Sequence, residues 1–288
     1  MITVLAPAKL NLTLEVLAKR PDGFHEILSV IQSIKLCDRL NFQPGKDITI
    51  KCDDAGWLSE ESLIPRAASL LKEASGCSEG AIIELSKKIP VLSGLGGDSS
   101  DAAAVLYGLN KLWRLAFSPG ELASLASQLG SDVAFFLFGG TALVQGRGEF
   151  VSPLPPLPGM WVVLLMPAVS RSTGKTGRLY ASLKTNHYTN GHMTEELVSL
   201  LTRGEEVASS RLFNIFENVA YDSFEGLDDY RERFLKAGAG SVHLAGSGPA
   251  LFTVVKDGAQ AKKVYRNLKK RGLEAYLVET MGAIDRLE

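Results

Sequence analysis

The chain has 288 residues, enough for about two domains at roughly 150 residues each and for a core that needs no disulfide or metal staple. Its 31 Lys+Arg against 32 Asp+Glu leave a net charge of −1, so no global positive field draws in polyanions and no nucleic-acid partner is expected. At 45% apolar and 22% charged it reads as a folded protein, and its longest apolar runs, Val133–Phe138 and residues 160–166, fall far short of the roughly 20 residues of a membrane span.

Residues 1–6 lack the basic start and long apolar stretch of an export signal and read as a first strand. Residues 9–17 alternate, with Leu10, Leu12, Leu14 and Val16 on one face and Asn11, Thr13 and Glu15 on the other, which predicts a half-buried strand with a polar face. Residues 29–36, 48–52 and 81–85 read as further strands, and 62–74 as a helix stopped by Ser75-Gly76. Beyond a glycine-rich stretch, 101–113 and 120–129 read as helices, the second opened by Ser118-Pro119. The prolines of 151–158 cannot continue a helix or a central strand, which places a domain division there, residues 1–158 and 159–288. In the second part, 161–166, 242–245, 250–255 and 274–279 read as strands, 260–271 as a basic exposed helix, and 184–194 as a polar surface loop. The whole is an α+β chain without internal repeats. Cys37, Cys52 and Cys77 form no CxxC pair and the four histidines have no metal-ligand spacing, so no metal site is named and a reduced, cytoplasmic setting is expected.

The segment Pro90-Val91-Leu92-Ser93-Gly94-Leu95-Gly96-Gly97-Asp98-Ser99-Ser100 joins a strand to an Ala-rich helix. Glycines bring backbone N–H groups close to an anion, serines add hydroxyl donors, and the helix N-terminus adds its positive end, so the segment can wrap a phosphate chain. The plainer alternative is a glycine turn capped by Ser100, with Asp101 complementing the helix dipole. It is not a dinucleotide fingerprint, because Ser99 stands where G-x-G-x-x-G needs its last glycine. Gly174-Lys175-Thr176 imitates the end of a Walker A loop but has Val169 at the required first glycine.

The glycine segment resembles the P-x-x-x-G-L-G-x-S-S motif of the GHMP family of small-molecule kinases. Pro7-Ala8-Lys9-Leu10-Asn11-Leu12 is similar to that family's first motif, and His243-Leu244-Ala245-Gly246-Ser247-Gly248-Pro249-Ala250-Leu251-Phe252 to its third. Arg20-Pro21-Asp22-Gly23-Phe24-His25-Glu26 and Gly130-Ser131-Asp132-Val133-Ala134-Phe135-Phe136 resemble the branch whose substrate carries a cytidine diphosphate. The resemblance implies a two-domain fold, an N-terminal ribosomal-protein-S5-like domain and a C-terminal ferredoxin-like domain with the active site between them. It implies transfer of phosphate from ATP, as co-substrate with Mg2+, to a hydroxyl of a small molecule on the non-mevalonate route to isoprenoid precursors. Homoserine and mevalonate kinases share the phosphate loop and are the alternative.

Carried over residue by residue, the resemblance makes Lys9 and Asp132 catalytic, with Asp132 taking the substrate hydroxyl's proton and the Lys9 ammonium offsetting charge on the transferred group. Without it, Asp132 reads equally well as a helix cap and Lys9 as a solvated edge charge. Pro90 to Ser100 would hold ATP. Asn11, Phe24, His25, Thr176 and Tyr180 would hold the substrate, Phe24 and Tyr180 as plates around the base and His25 at its edge, with Thr173 as an alternative to Thr176. Phe24 and Tyr180 could instead be ordinary packing aromatics. Ser99 or Ser100 is the best candidate to meet the metal. Two departures stand out: Asp98 where the family often has glycine, and Glu61-Ser62-Leu63-Ile64 where it commonly has Asn-Leu for adenine; Asn218 fits a family asparagine without an assigned role.

Overall fold

A computed structural model describes residues 1–54, 57, 60, 62–157 and 159–283. Pro158, at the expected domain division, and Glu61, in the expected adenine segment, lie outside the described residues.

Two long strands, β1 (Ile2–Lys19) and β2 (His25–Gly45), pair antiparallel along almost their whole length. Around them the described residues form a seven-stranded sheet in the order β3 (Ile48–Cys52), β4 (Gly80–Ser86), β2, β1, β8 (Phe213–Asn214), with β5 (Thr141–Gly146) on the near half of β2 and β6 (Phe150–Pro153) at the edge beyond it. The prolines after β6 therefore begin at a sheet edge, where a missing backbone donor is tolerated. A second, antiparallel sheet has the order β11 (Glu274–Glu279), β7 (Trp161–Met166), β10 (Leu251–Val255), β9 (His243–Leu244). In order of appearance that is 4-1-3-2, the arrangement of a ferredoxin-like unit.

The face alternation expected of residues 9–17 does not hold, because the register of β1 against β2 is irregular. Register shifts fall between Pro7 and Ala8 and again between Asn11 and Thr13. An extra residue at a bulge moves the following side chains to the other face. Accordingly Val4 and Ala6 pack in the core under the helices, Ala8, Leu10 and Leu12 pack against Leu164 and Phe252 of the second sheet, and Leu14 and Val16 return to the first core. The odd-numbered side chains between the bulges, Lys9 and Asn11, are thereby turned toward the helices. The expected polar face is not solvated either: Asn11, Thr13 and Glu15 are all buried.

The helical layer contains α1 (Leu63–Ser75), α2 (Gly97–Leu112), α3 (Pro119–Leu129) and α4 (Val133–Phe138). Ser62 caps α1 through Ile64 N–H and Gly76 ends it in the left-handed conformation, while Ser118 and Glu121 form a capping box on α3. The apolar run at Val133–Phe138 is the short α4, whose Phe135 and Phe136 are fully buried. The later elements are α5 (Lys175–Ser182), α6 (His192–Thr202), α7 (Glu217–Ser223), α8 (Leu227–Lys236) and α9 (Gly258–Lys270). The segment 184–194 is only partly a surface loop. Thr194 is fully buried, its N–H on Glu15 Oε2 at 2.7 Å and its hydroxyl on Thr13 Oγ1 at 2.9 Å.

Candidate active site

The glycine segment runs from β4 into α2, and the helix starts earlier than its apolar spacing suggests, at Gly97. Its N-cap is Gly96, with no side-chain cap bond, so Ser100 lies inside the helix rather than capping it. Gly96 has φ of +76°, and a Cβ there would stand 2.9 Å from the Phe136 ring and 3.1 Å from Lys9 Cγ. Gly94 has φ of +89°, and a Cβ there would stand 2.1 Å from the Ala245 carbonyl oxygen. Main-chain bonds stitch the segment to both neighbours: Lys9 N–H donates to Leu95 O at 2.9 Å and Ala250 N–H to Ser93 O at 3.1 Å. Gly94→Ala is expected to cost more than about 1 kcal/mol of stability, since it adds both strain and a backbone clash. A thermal melt should show this, together with a smaller shift on adding ATP than the native protein gives.

Lys9 is 3% exposed, and its Nζ donates to Asn11 Oδ1 at 2.6 Å and lies 3.3 Å from Asp132 Oδ2. Asn11 is fixed in turn by donating to Ser29 Oγ at 2.9 Å, and Ser29 donates to Thr13 O at 2.5 Å. Asp132 occupies the N-cap position of α4 yet makes no cap bond. Its carboxylate, about a third exposed, faces Lys9 and the cavity instead. The helix-cap and edge-charge readings both fail on this geometry.

Asp98, which could have repelled phosphates, is bound elsewhere. Its carboxylate accepts from Ser62 Oγ at 2.5 Å and from Leu63 N–H at 3.0 Å, at the positive end of α1. Ser62 is thus occupied by Asp98 and by its own helix. Nearby, Lys87 reaches Asp38 at 2.5 Å and Asp101 at 2.8 Å, all three buried. Burial opposes the Lys87 charge, but Asp101 and Asp38 outweigh it and raise its pKa, while burial holds the Asp101 carboxyl well above the usual range. Asn218 serves locally, donating to Ile215 O at 3.0 Å. The asparagine that shapes the site is Asn214, whose amide spans Leu244 O at 2.9 Å and Gly246 O at 2.8 Å and so fixes the third glycine loop against β1. Sequence reasoning passed over it, the only signal being an asparagine in an otherwise apolar stretch.

Among the residues expected to hold substrate, the His25 and Tyr180 rings stack on each other at 4.7 Å and 16°, and Phe216 meets Tyr180 edge-on at 4.9 Å. Burial lowers the His25 pKa and raises that of Tyr180. Phe24 is half-exposed and lies under the Arg147 guanidinium at 4.7 Å, so it does not face Tyr180 as a second plate in this structure. Thr176 Oγ1 is 2.8 Å from Ser247 Oγ.

These groups meet at a cavity of about 610 Å3. Its wall includes Lys9, Asn11, Asp132, Thr173, Thr176 and Tyr180, and every residue of 90–99 except Leu95. Leu95 is fully buried, and Ser100 is buried with its Oγ unpartnered, so of the two serines only Ser99 faces the space. Phe24 and His25 stand outside the wall. Trp57, Lys87 and Arg147 line it without having been singled out, because an isolated cation or indole carries no pattern in sequence; Lys175 lines it as well, met in the sequence only within a failed Walker A match.

Two family models match the chain: the GHMP kinases N terminal domain over residues 62–140 and the GHMP kinases C terminal over residues 196–274. The chain is 48% identical over 285 residues to the 4-diphosphocytidyl-2-C-methyl-D-erythritol kinase of Dehalococcoides mccartyi, covering 99% of this chain and 100% of that protein. The chain belongs to the GHMP kinases. Among solved structures, this kinase is similar to a 4-(cytidine 5'-diphospho)-2C-methyl-D-erythritol kinase with TM-score 0.81 and 34% identity, covering 97% of this chain and 99% of the other. A homoserine kinase from Cytophaga hutchinsonii follows the same fold with TM-score 0.74 at 21% identity, covering 98% and 95%. Both the two-domain fold and the ATP-dependent small-molecule kinase class agree with the resemblance read from the motifs. No helix among the described residues is long and apolar enough to cross a membrane.

Proposed function

We infer that this kinase transfers the γ-phosphoryl group of ATP to the 2-hydroxyl of 4-diphosphocytidyl-2-C-methyl-D-erythritol, a step toward isoprenoid precursors outside the mevalonate route. The observation that carries the reading is one continuous cavity joining an aromatic wall at Tyr180, the Lys9–Asp132 ion pair and the glycine segment. The relative's name supplies the substrate.

In this reading the backbone of 90–99 and the start of α2 hold the phosphates. Asp132 accepts the hydroxyl proton as oxygen attacks phosphorus in line, and Lys9, held by Asn11, meets the charge on the transferred group. No covalent phosphoenzyme is required, since positioning and charge stabilisation suffice. The wall fits a magnesium ion carried in by ATP: it offers the Ser99 hydroxyl, in keeping with an ion that takes most of its ligands from phosphate and water. Bound there, the ion would neutralise phosphate charge. The division of the chain into residues 1–158 and 159–288, and a cytoplasmic setting for its small-molecule chemistry, belong to the same reading.

Tyr180 and His25 would hold the cytosine, with Thr176 and Asn11 nearer the reacting end and Phe24 free to swing from Arg147 onto the base. Tyr180→Ala is expected to weaken the cytidine substrate by about 1–3 kcal/mol while leaving ATP little affected. Separate KM measurements decide it, and equal losses for both ligands would remove the stacking role. The function itself is tested by ADP release against the diphosphocytidyl methylerythritol, homoserine, mevalonate and galactose. Turnover confined to the first is expected, and turnover of one of the others instead would overturn the assignment.

A further inference from the structure

Lys175 is a buried cation that the mechanism above leaves unused. It is 7% exposed at the first turn of α5, and its Nζ donates to Ser247 Oγ at 2.7 Å and to the carbonyls of Gly248 at 2.5 Å and Ser247 at 3.3 Å. All three acceptors are uncharged, so among the described residues the ammonium has polar partners but no counter-ion in contact. It lines the same cavity wall as Lys9 and the glycine segment. The two lysines bracket the turn at Gly246–Gly248: a Cβ on Gly246 would stand 3.0 Å from Lys9 Nζ, while Lys175 holds the far side of that turn. The charged groups that act on Lys175 from its surroundings are Lys9 on β1, Asp132 at the start of α4 and Arg171 in the loop before α5. Two of the three are cations. A buried ammonium in that setting is completed by an anion entering the cavity.

We propose that Lys175 is a second phosphate-facing cation, which is drawn onto the terminal phosphate of the bound triphosphate and gains a proton from solvent as that phosphate arrives. The proposal rests on the ATP reading given above. Burial first, then Lys9, and Arg171 as well, against the opposing pull of Asp132, bring the Lys175 ammonium down to about 7, so the empty protein releases this proton more readily than an ordinary lysine does. A phosphate dianion beside it restores the ordinary, protonated state. The proton comes from the buffer and remains on Nζ until product leaves. Lys175 thus supplies charge only when phosphate is present, whereas Lys9 has Asp132 beside it throughout.

The test is calorimetric titration of the full chain with a non-hydrolysable ATP analogue and magnesium at pH 8, in two buffers of different ionisation enthalpy. Their difference counts the protons taken up, and the nucleotide is itself fully deprotonated at that pH. The native protein should take up a measurable fraction of a proton per analogue and clearly less with ADP. Lys175→Arg, which stays charged at every accessible pH, should bind the analogue with almost no uptake. Lys175→Met should lose both the uptake and about tenfold or more in affinity. Uptake that persists in either variant, no uptake in the native protein, or equal uptake with ADP would overturn the assignment to the terminal phosphate. Failure of the native protein to bind the analogue at all would instead overturn the ATP reading on which it rests.

Discussion

Asp132→Asn is expected to lower kcat by about 10²- to 10⁴-fold, the range for loss of a positioned general base, with ATP affinity little changed. The amide keeps the size and shape of the carboxylate, so α4 and its buried Phe135 and Phe136 have no reason to move. Asp132 contributes no cap bond to that helix, so the substitution removes no helix-capping interaction. What changes is the group facing Lys9 at 3.3 Å: an amide cannot take the substrate proton. Steady-state kinetics and a melting curve on the same preparation check both halves. Near-normal turnover would remove Asp132 from the mechanism, while the melting temperature is expected to fall modestly because the buried Lys9 ammonium loses its anionic partner.

Lys9→Met is expected to cost about 10²- to 10³-fold in kcat, the usual consequence of removing one preorganised group aimed at developing charge. Methionine is unbranched like the lysine stem, whose Cγ would lie 3.1 Å from a Cβ at Gly96. The variant should nevertheless lose some stability, because Asn11 Oδ1 gives up its 2.6 Å bond in a buried place, a loss worth about 1–3 kcal/mol. The two effects separate by measurement: stability follows Asn11, whereas kcat follows the missing charge. Lys9→Arg should regain little activity, since a longer forked guanidinium does not reproduce the compact charge held between Asn11 Oδ1 and Asp132 Oδ2.

Much of this arrangement was legible in the sequence. The glycine segment, the Lys9–Asn11 motif and the Asp132 motif are each short and self-contained, and each meets the cavity. Element positions followed from alternation, spacing and caps, as with Ser62 and Gly76 around α1 or Ser118-Pro119 before α3. The bulges in β1 were not legible, because alternation reports apolarity and not facing: Leu12 and Leu14 continue the pattern while entering different cores. Asp98 looked like an obstacle to phosphate because its partners, Ser62 and Leu63, lie 35 or more residues away in sequence. Lys175 was masked for a similar reason. It read only as part of a Walker A imitation lacking its first glycine, and it is the return of the 246–248 turn, more than 70 residues later, that buries it. Phe24 was read by its neighbours in sequence as a plate opposite Tyr180, but Arg147, brought in from the turn after β5, holds it.

The measurement that bears most directly on the account is a crystal structure with a non-hydrolysable ATP analogue and the diphosphocytidyl substrate bound together. The account predicts the analogue's phosphates against the backbone of residues 94–99, with the 2-hydroxyl within about 2.6–3.2 Å of the Asp132 carboxylate and in line with the terminal phosphorus. A complex in which that hydroxyl meets a different base, or in which the triphosphate lies away from the glycine segment, would contradict it.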